Sequence, residues 1–301
     1  MTSLTLPVAA TARRLRRGPP ALRAVASLTV PLLVLALIAF YPLALVAYTA
    51  FTGKSDYYGH GFGVAFVHVL SSGQFLAALL NTVQIAALST AGCLVLGFVL
   101  ALVVSFVPFP GSGLVARFVD TVLAFPSFLI ALSFTFLYGR AGLVNGVLDA
   151  IFGGQGSPLD FVYTKWGVVL AEITFYTPFV MRPLLAGFAG IDGSLIEVAS
   201  SLGARPWRLV SQIVFPEVTP ALLAGGGLCL VLTLNEFGIV LFMGAKGVTT
   251  LPLLIYSEAV NLFDYTAACA VAMVNVVLSL GLYSLYRMLL ARAGGDRAAV
   301  V

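Results

Sequence analysis

Two groups of residues in this chain have types and spacings that could do chemistry. The first is Glu197-Val-Ala-Ser-Ser-Leu-Gly203, followed by Ile213-Val-Phe-Pro216. A carboxylate, a small apolar face, a glycine and a proline offer recognition rather than bond-breaking. The second group is Glu172, Asn235 and Glu236, each set inside a stretch that is otherwise apolar. A charge at membrane depth costs about 2.5–3.5 kcal/mol on insertion scales and usually faces a bundle interior. Two readings of this group are open. They line a hydrophilic path, or they make hydrogen bonds between helices.

Other chemistries find no support. His60 and His68 lie apart without companions, so no metal site is expected. Cys93, Cys229 and Cys269 are an odd number of thiols in apolar stretches, which suits core packing rather than disulfides. Met243-Gly-Ala-Lys246-Gly lacks the spacing of a phosphate-binding glycine loop. The chain should therefore not hydrolyse ATP by itself. No zinc motif, nucleophile elbow or paired-carboxylate site is evident, and no cofactor is expected.

The elements that position these residues follow from composition. Of the 301 residues, 60% are hydrophobic and only 9% charged, with a mean hydropathy of +1.05. A soluble domain carries roughly 25% charged residues, so this is an integral membrane protein. Its net charge of +4 calls for no nucleic-acid partner, because the arginines flank apolar segments. Spanning helices need about 20 mostly apolar residues. Six are expected, at about 25–51, 76–106, 117–138, 165–187, 214–243 and 265–290. In lipid each must satisfy its own backbone, and the alternating pattern of a membrane barrel is missing. The expected fold is all-α: six transmembrane helices with a cytoplasmic helix between the fourth and fifth.

Orientation follows from the cations. With the N-terminus inside, the inner side holds Arg13, Arg14, Arg16, Arg17, Arg23, Arg117, Arg182, Arg205, Arg208, Arg287, Arg292 and Arg297. The outer side holds only Lys54, Arg140, Lys165 and Lys246. Both termini should then be cytoplasmic, as should the Glu197–Pro216 segment. The apolar run from Ala24 to Phe51 far exceeds a signal-peptide core, so it reads as a retained helix. Residues 143–152, within the outer loop 139–164, are too short to span and should form a surface helix.

Within the elbow, Ser194-Leu-Ile-Glu197 matches a capping box, which predicts a helix from about Leu195. Leu195, Val198, Ala199 and Leu202 then share one face. Gly203 supplies the left-handed turn, and Pro206 suits the first turn of a second helix. Gly225-Gly-Gly227 should permit close helix contact or a bend in the fifth helix.

These residues resemble the cytoplasmic signature of permease subunits in bacterial binding-protein-dependent ABC importers. That signature runs Glu-Ala-Ala, three residues, Gly, nine residues, Ile, one residue, Leu-Pro. Glu197, Ala199, Gly203, Ile213 and Pro216 fall on it, with Val198 for the second residue and Phe215 for Leu. The resemblance covers about residues 75–287. It implies a permease domain there, preceded by a tail (1–24) and a first helix with an outer loop (25–74), and followed by a tail (288–301). It also implies that Glu197, Ala199, Leu202, Gly203, Ile213 and Pro216 couple the chain to a separate ATPase. The implied assembly has two ATP-binding subunits, a second permease chain (identical or homologous), and a periplasmic or extracellular solute-binding protein. Its place would be the bacterial inner membrane.

The stretch Asn235–Tyr256 looks like its counterpart in 2-aminoethylphosphonate importers, as do Asp264–Ala268 and Ser279–Arg287. Its Glu-Phe-Gly element is similar in sulfate, molybdate, ferric iron and polyamine permeases. An ion-coupled secondary transporter is the alternative from another class. Such proteins often show inverted repeats, and no repeat is evident here.

Overall fold

A computed structural model describes residues 20–59, 61–153 and 159–298. His60, the arginines at 13, 14, 16 and 17, and most of the tail 1–24 lie outside the described residues. Among the described residues the chain is helical, with no strand and only an isolated bridge between Ser55 and Gly59.

Two units are distinguished. The first, residues 1–46, carries most of helix α1 (Pro20–Thr52). Its side chains from Leu32 to Leu45 are nearly all exposed, and Leu35, Ile38 and Phe40 are large and apolar. A surface so apolar over a stretch long enough to span, Pro31–Thr52, suits a bilayer.

The second unit, residues 47–301, is the bundle. Its long helices are α3 (Gly73–Phe106), α7 (Lys165–Ala189), α10 (Phe215–Leu234) and α13 (Tyr265–Ala298). Short α2 (Val64–Ser71) precedes α3, and between the long helices run α4 (Ser112–Val122), α5 (Phe128–Tyr138), α6 (Leu143–Phe152), α8 (Gly193–Ser201) and α9 (Pro206–Leu209). Short α11 (Gly238–Met243) and α12 (Leu251–Tyr256) follow α10.

The main core joins α3, α7 and α10 through Ile85, Cys93, Val168, Val180, Leu184, Val218 and Cys229. Gly225 shows why these helices can approach so closely. A Cβ there would stand 3.0 Å from the Val180 Cα and 3.1 Å from the Pro183 ring. Small residues at such a seam bring backbones together where lipid gives no hydrophobic drive. The expected close contact at Gly225 is thus present. A smaller core joins α2, α3, α12 and α13 through Val69, Phe75, Leu251, Leu254 and Val271.

Among the described residues six stretches are long and apolar enough to cross a membrane, as expected in number. Two differ in build. The third was expected as one helix over 117–138, but it divides into α4 and α5 around Pro126. Proline has no NH to donate and pushes the preceding residue out of the helical region. The third apolar stretch accordingly falls at Phe128–Phe152, with a turn at Gly139–Gly142 between α5 and the expected surface helix α6. The fifth was expected as one helix over 214–243. Instead α10 stops at Leu234, and α11 restarts at Gly238. At the ends, α1 begins at Pro20 and α13 runs on to Ala298, so helix extends into both expected tails.

Candidate functional site

The elbow is built by local chemistry. Asp192, not Ser194, caps α8: its carboxylate accepts the Ser194 NH at 2.9 Å. That bond holds the Asp192 carboxyl below its usual range. The helix therefore starts at Gly193, and the expected capping box of Ser194 with Glu197 does not set its start. An aspartate two residues upstream reaches the free amides first, where the helix dipole also favours its charge. Glu197 is exposed instead.

The far end of α8 closes as the spacing Ala199 to Gly203 demands. Ala204 NH bonds the Ala199 carbonyl at 3.0 Å, and Gly203 NH bonds the Ser200 carbonyl at 2.9 Å. This bond pair is the Schellman motif, and its left-handed residue is Gly203, with φ +79°. Pro206 then opens α9 at its first turn. A single π-helical turn, Val210–Val214, follows and contains Ile213. Pro216 sits just beyond it, where its missing NH would have left a tight ladder open.

The result displays an apolar surface. Leu202 is 84% exposed and Trp207 73%, with Leu195 and Val198 also exposed and Ala199 half-buried. In a helix with polar Ser200, Ser201 and Glu197 beside it, that surface needs a partner or a membrane boundary to cover it.

The second site is the break after α10. Glu236 is buried and accepts three hydrogen bonds. Its Oε1 takes the Ile239 NH at 2.7 Å and the Ser127 hydroxyl at 3.0 Å, while Oε2 takes the Tyr176 hydroxyl. One carboxylate thus starts α11 and ties it to α7 and to the start of α5. Asn235 points the other way. Its amide donates to the Val231 carbonyl at 2.8 Å and the Ser279 hydroxyl at 3.3 Å. Its Oδ1 accepts from Asn275 at 3.0 Å. Asn235 remains exposed.

Glu172 stands apart from that network. It is wholly buried on α7, and among the described residues no group meets its carboxyl oxygens in good hydrogen-bond geometry, the buried Ser89 hydroxyl being the polar side chain that bears on it. Leaving such a group unpaired is costly. The sequence did not single out Tyr176, Ser127, Asn275 or Ser279 as partners of this break. Nor did it single out an open cavity of about 650 Å³ lined by Asn81, Arg140, Asp160, Tyr163, Lys165 and Lys246, among others. The signal was present, because three of those residues are among the four cations expected on the outer side.

A helical elbow stands just before the penultimate long helix, where the signature residues Glu197 to Pro216 fall; the break after Leu234 was not among the expectations. Residues 93–294 match the family described as binding-protein-dependent transport system inner membrane component. The chain belongs to this family. It is thus a multi-pass membrane permease rather than an enzyme. The permease is 54% identical over 273 residues to the putative 2-aminoethylphosphonate transport system permease protein PhnU of Salmonella choleraesuis (strain SC-B67). That match covers 91% of this chain and 94% of the relative. It is 30% identical to a probable sulfate transport system permease protein, cysT, of Chlorokybus atmophyticus, over 63% of this chain and 64% of that one. Its fold matches a bacterial ABC transporter involved in the import of the acidic polysaccharide alginate. The TM-score is 0.76 at 20% identity, covering 90% of this chain and 96% of that one.

Proposed function

We propose that this permease is the membrane-spanning subunit of an ATP-driven importer of 2-aminoethylphosphonate. The observation that carries the cargo is the 54% identity to the Salmonella permease, sustained along 91% of the chain. The sulfate relative is less similar and matches less of the chain, so sulfate is the weaker choice.

The distribution of arginines supports an inner membrane location with both termini and the elbow in the cytoplasm. Residues 75–287 act as the permease domain, with residues 25–74 an added first helix and outer loop. The exposed apolar face of Leu195, Val198 and Leu202, with Glu197 and Gly203 shaping it, docks on one ATPase subunit. Ile213 and Pro216 pass its movement into α10. A second permease chain, with its own ATPase, completes the pathway, and a solute-binding protein delivers cargo from outside. The exposed Asn235, with Glu236 and Glu172 behind it, belongs to the path wall. Alternation between inward- and outward-open states follows the ATPase state.

The test is uptake into proteoliposomes holding the full complex, its binding protein and internal ATP. Labelled 2-aminoethylphosphonate should accumulate, and excess sulfate should not compete. ATP-dependent uptake of sulfate with none of the phosphonate would overturn the cargo. Uptake driven by a proton gradient without ATP would overturn the mechanism.

A further inference from the structure

Loops rich in lysine and arginine belong on the inner face of a membrane protein. Four cations break that pattern here, and three of them, Arg140, Lys165 and Lys246, line one cavity of about 650 Å³. They come from three distant places: the turn after α5, the first residue of α7 and the loop after α11. Only folding brings them together.

The walls are preformed. Lys246 NH bonds the Tyr163 carbonyl at 3.1 Å, joining two of the loops. Asn81 of α3 donates to the Thr249 carbonyl at 3.1 Å and fixes the same loop to the bundle. Arg140 makes a two-pronged contact with Asp160, at 3.2 and 2.8 Å, which fixes the orientation of its guanidinium in the cavity wall. That contact also holds the Asp160 carboxyl below its usual range, so it stays ionised. Lys165 reaches the Gln84 side-chain oxygen at 2.8 Å, a neutral partner that leaves its charge uncompensated. Lys246 is exposed. Among the described lining residues, three cations against one carboxylate leave two net positive charges.

We propose that this cavity is a binding site for a phosphonate or phosphate oxyanion, filled during transport by the phosphonate group of the cargo. Lys165 and Lys246 contact the oxyanion, and the Arg140–Asp160 pair frames it. The identity of the cargo rests on the import function proposed above; the oxyanion chemistry does not. A net positive recess at the outer mouth raises the local concentration of an anion released from its carrier. Ammonium groups suit this task, since each is a compact, strongly hydrated point charge on a flexible stem and imposes no two-pronged geometry on the anion.

The experiment uses the permease–ATPase complex, without binding protein, in nanodiscs of phosphatidylcholine alone. Binding of 2-aminoethylphosphonate is followed by 31P line broadening, with methylphosphonate and ethanolamine as part-molecules. Saturable binding of both phosphonates and none of ethanolamine is expected. The double variant Lys165→Gln, Lys246→Gln should weaken binding at least tenfold, while the complex stays assembled by size-exclusion chromatography. No binding by the wild type, or equal binding by the variant, overturns the site. Two further results overturn it as a cargo site. One is a phosphatidylglycerol molecule retained by wild type only, excluding the phosphonate. The other is weakened docking of the binding protein with phosphonate binding unchanged. Parallel uptake measurements separate the two proposals. Uptake of 2-aminoethylphosphonate without binding here defeats this site alone. Binding of methylphosphonate and inorganic phosphate without uptake of 2-aminoethylphosphonate supports the site and defeats the cargo.

Discussion

The carboxylate of Glu236 accepts the backbone NH of Ile239 at 2.7 Å, so a buried acid begins the helix that follows its own helix break. The same carboxylate holds the hydroxyls of Ser127 and Tyr176. A polar residue at membrane depth is here the joint between α5, α7 and α11. Glu236→Ala should leave three donors without an acceptor. Each buried unmet donor costs about 1–3 kcal/mol. The purified variant should unfold at a clearly lower temperature than wild type, and Glu236→Gln, which keeps an acceptor oxygen, should recover part of the loss. Equal melting of all three proteins would show that the joint carries no stability.

Gly203 holds φ +79° at the end of α8. No atom crowds the space where its Cβ would go, so a substitution there is opposed by backbone conformation alone. A left-handed non-glycine residue costs roughly 1–2 kcal/mol. Gly203→Ala should therefore loosen the turn without damaging the bundle. The expected readout is weaker co-purification of the ATPase with unchanged melting of the permease core. Gly203→Asp should be more severe. If Gly203→Asp leaves ATPase binding and uptake intact, the elbow does not dock.

At the other end of α8, Asp192 gives a dependence on pH. Its folded-state pKa is lowered by the Ser194 amide. A lowered carboxyl contributes stability that is fully present above its unfolded pKa of about 3.9. That contribution fades as pH falls through the folded value. Titrating ATPase binding from pH 7 downward should show the wild type approaching Asp192→Asn only in the acid range. Asp192→Ala should be weaker than both at neutral pH. A gap between wild type and Asp192→Asn that widens toward acid would reverse the sign and remove the cap.

The apolar segments were legible because membrane helices declare themselves by length and composition. The elbow was legible because Ala199, Gly203 and Pro206 act through neighbours only a few residues away. Its start was misread, since Asp192 and the Ser194–Glu197 pair both fit local rules and only geometry decides which reaches the amides. The breaks at Pro126 and Asn235 were hidden for a different reason. A proline in an apolar run reads equally as a kink or a stop. Nor does the sequence show the distant bond that joins the two breaks: Ser127 donates to Glu236 across 109 positions. The basic cavity was hidden in the same way, its walls running from Asn81 to Val248.

The seam at Gly225 offers the sharpest test of packing. A Cβ there would lie 3.0 Å from the Val180 Cα, a backbone atom that cannot swing aside. Gly225→Ala must therefore push α10 away from α7 along the main core. Overpacking of this kind costs about 1–3 kcal/mol. Gly225→Leu adds a branched side chain against Pro183 and should destabilise the bundle further than Gly225→Ala. The control is Gly113→Ala in α4, where a Cβ meets nothing within 4 Å. Its effect should be small and favourable, because alanine is the better helix former. Detergent melting curves of the three variants should rank Gly113→Ala, then Gly225→Ala, then Gly225→Leu. Equal melting of Gly225→Ala and wild type would mean that α7 and α10 stand further apart than 3.0 Å implies.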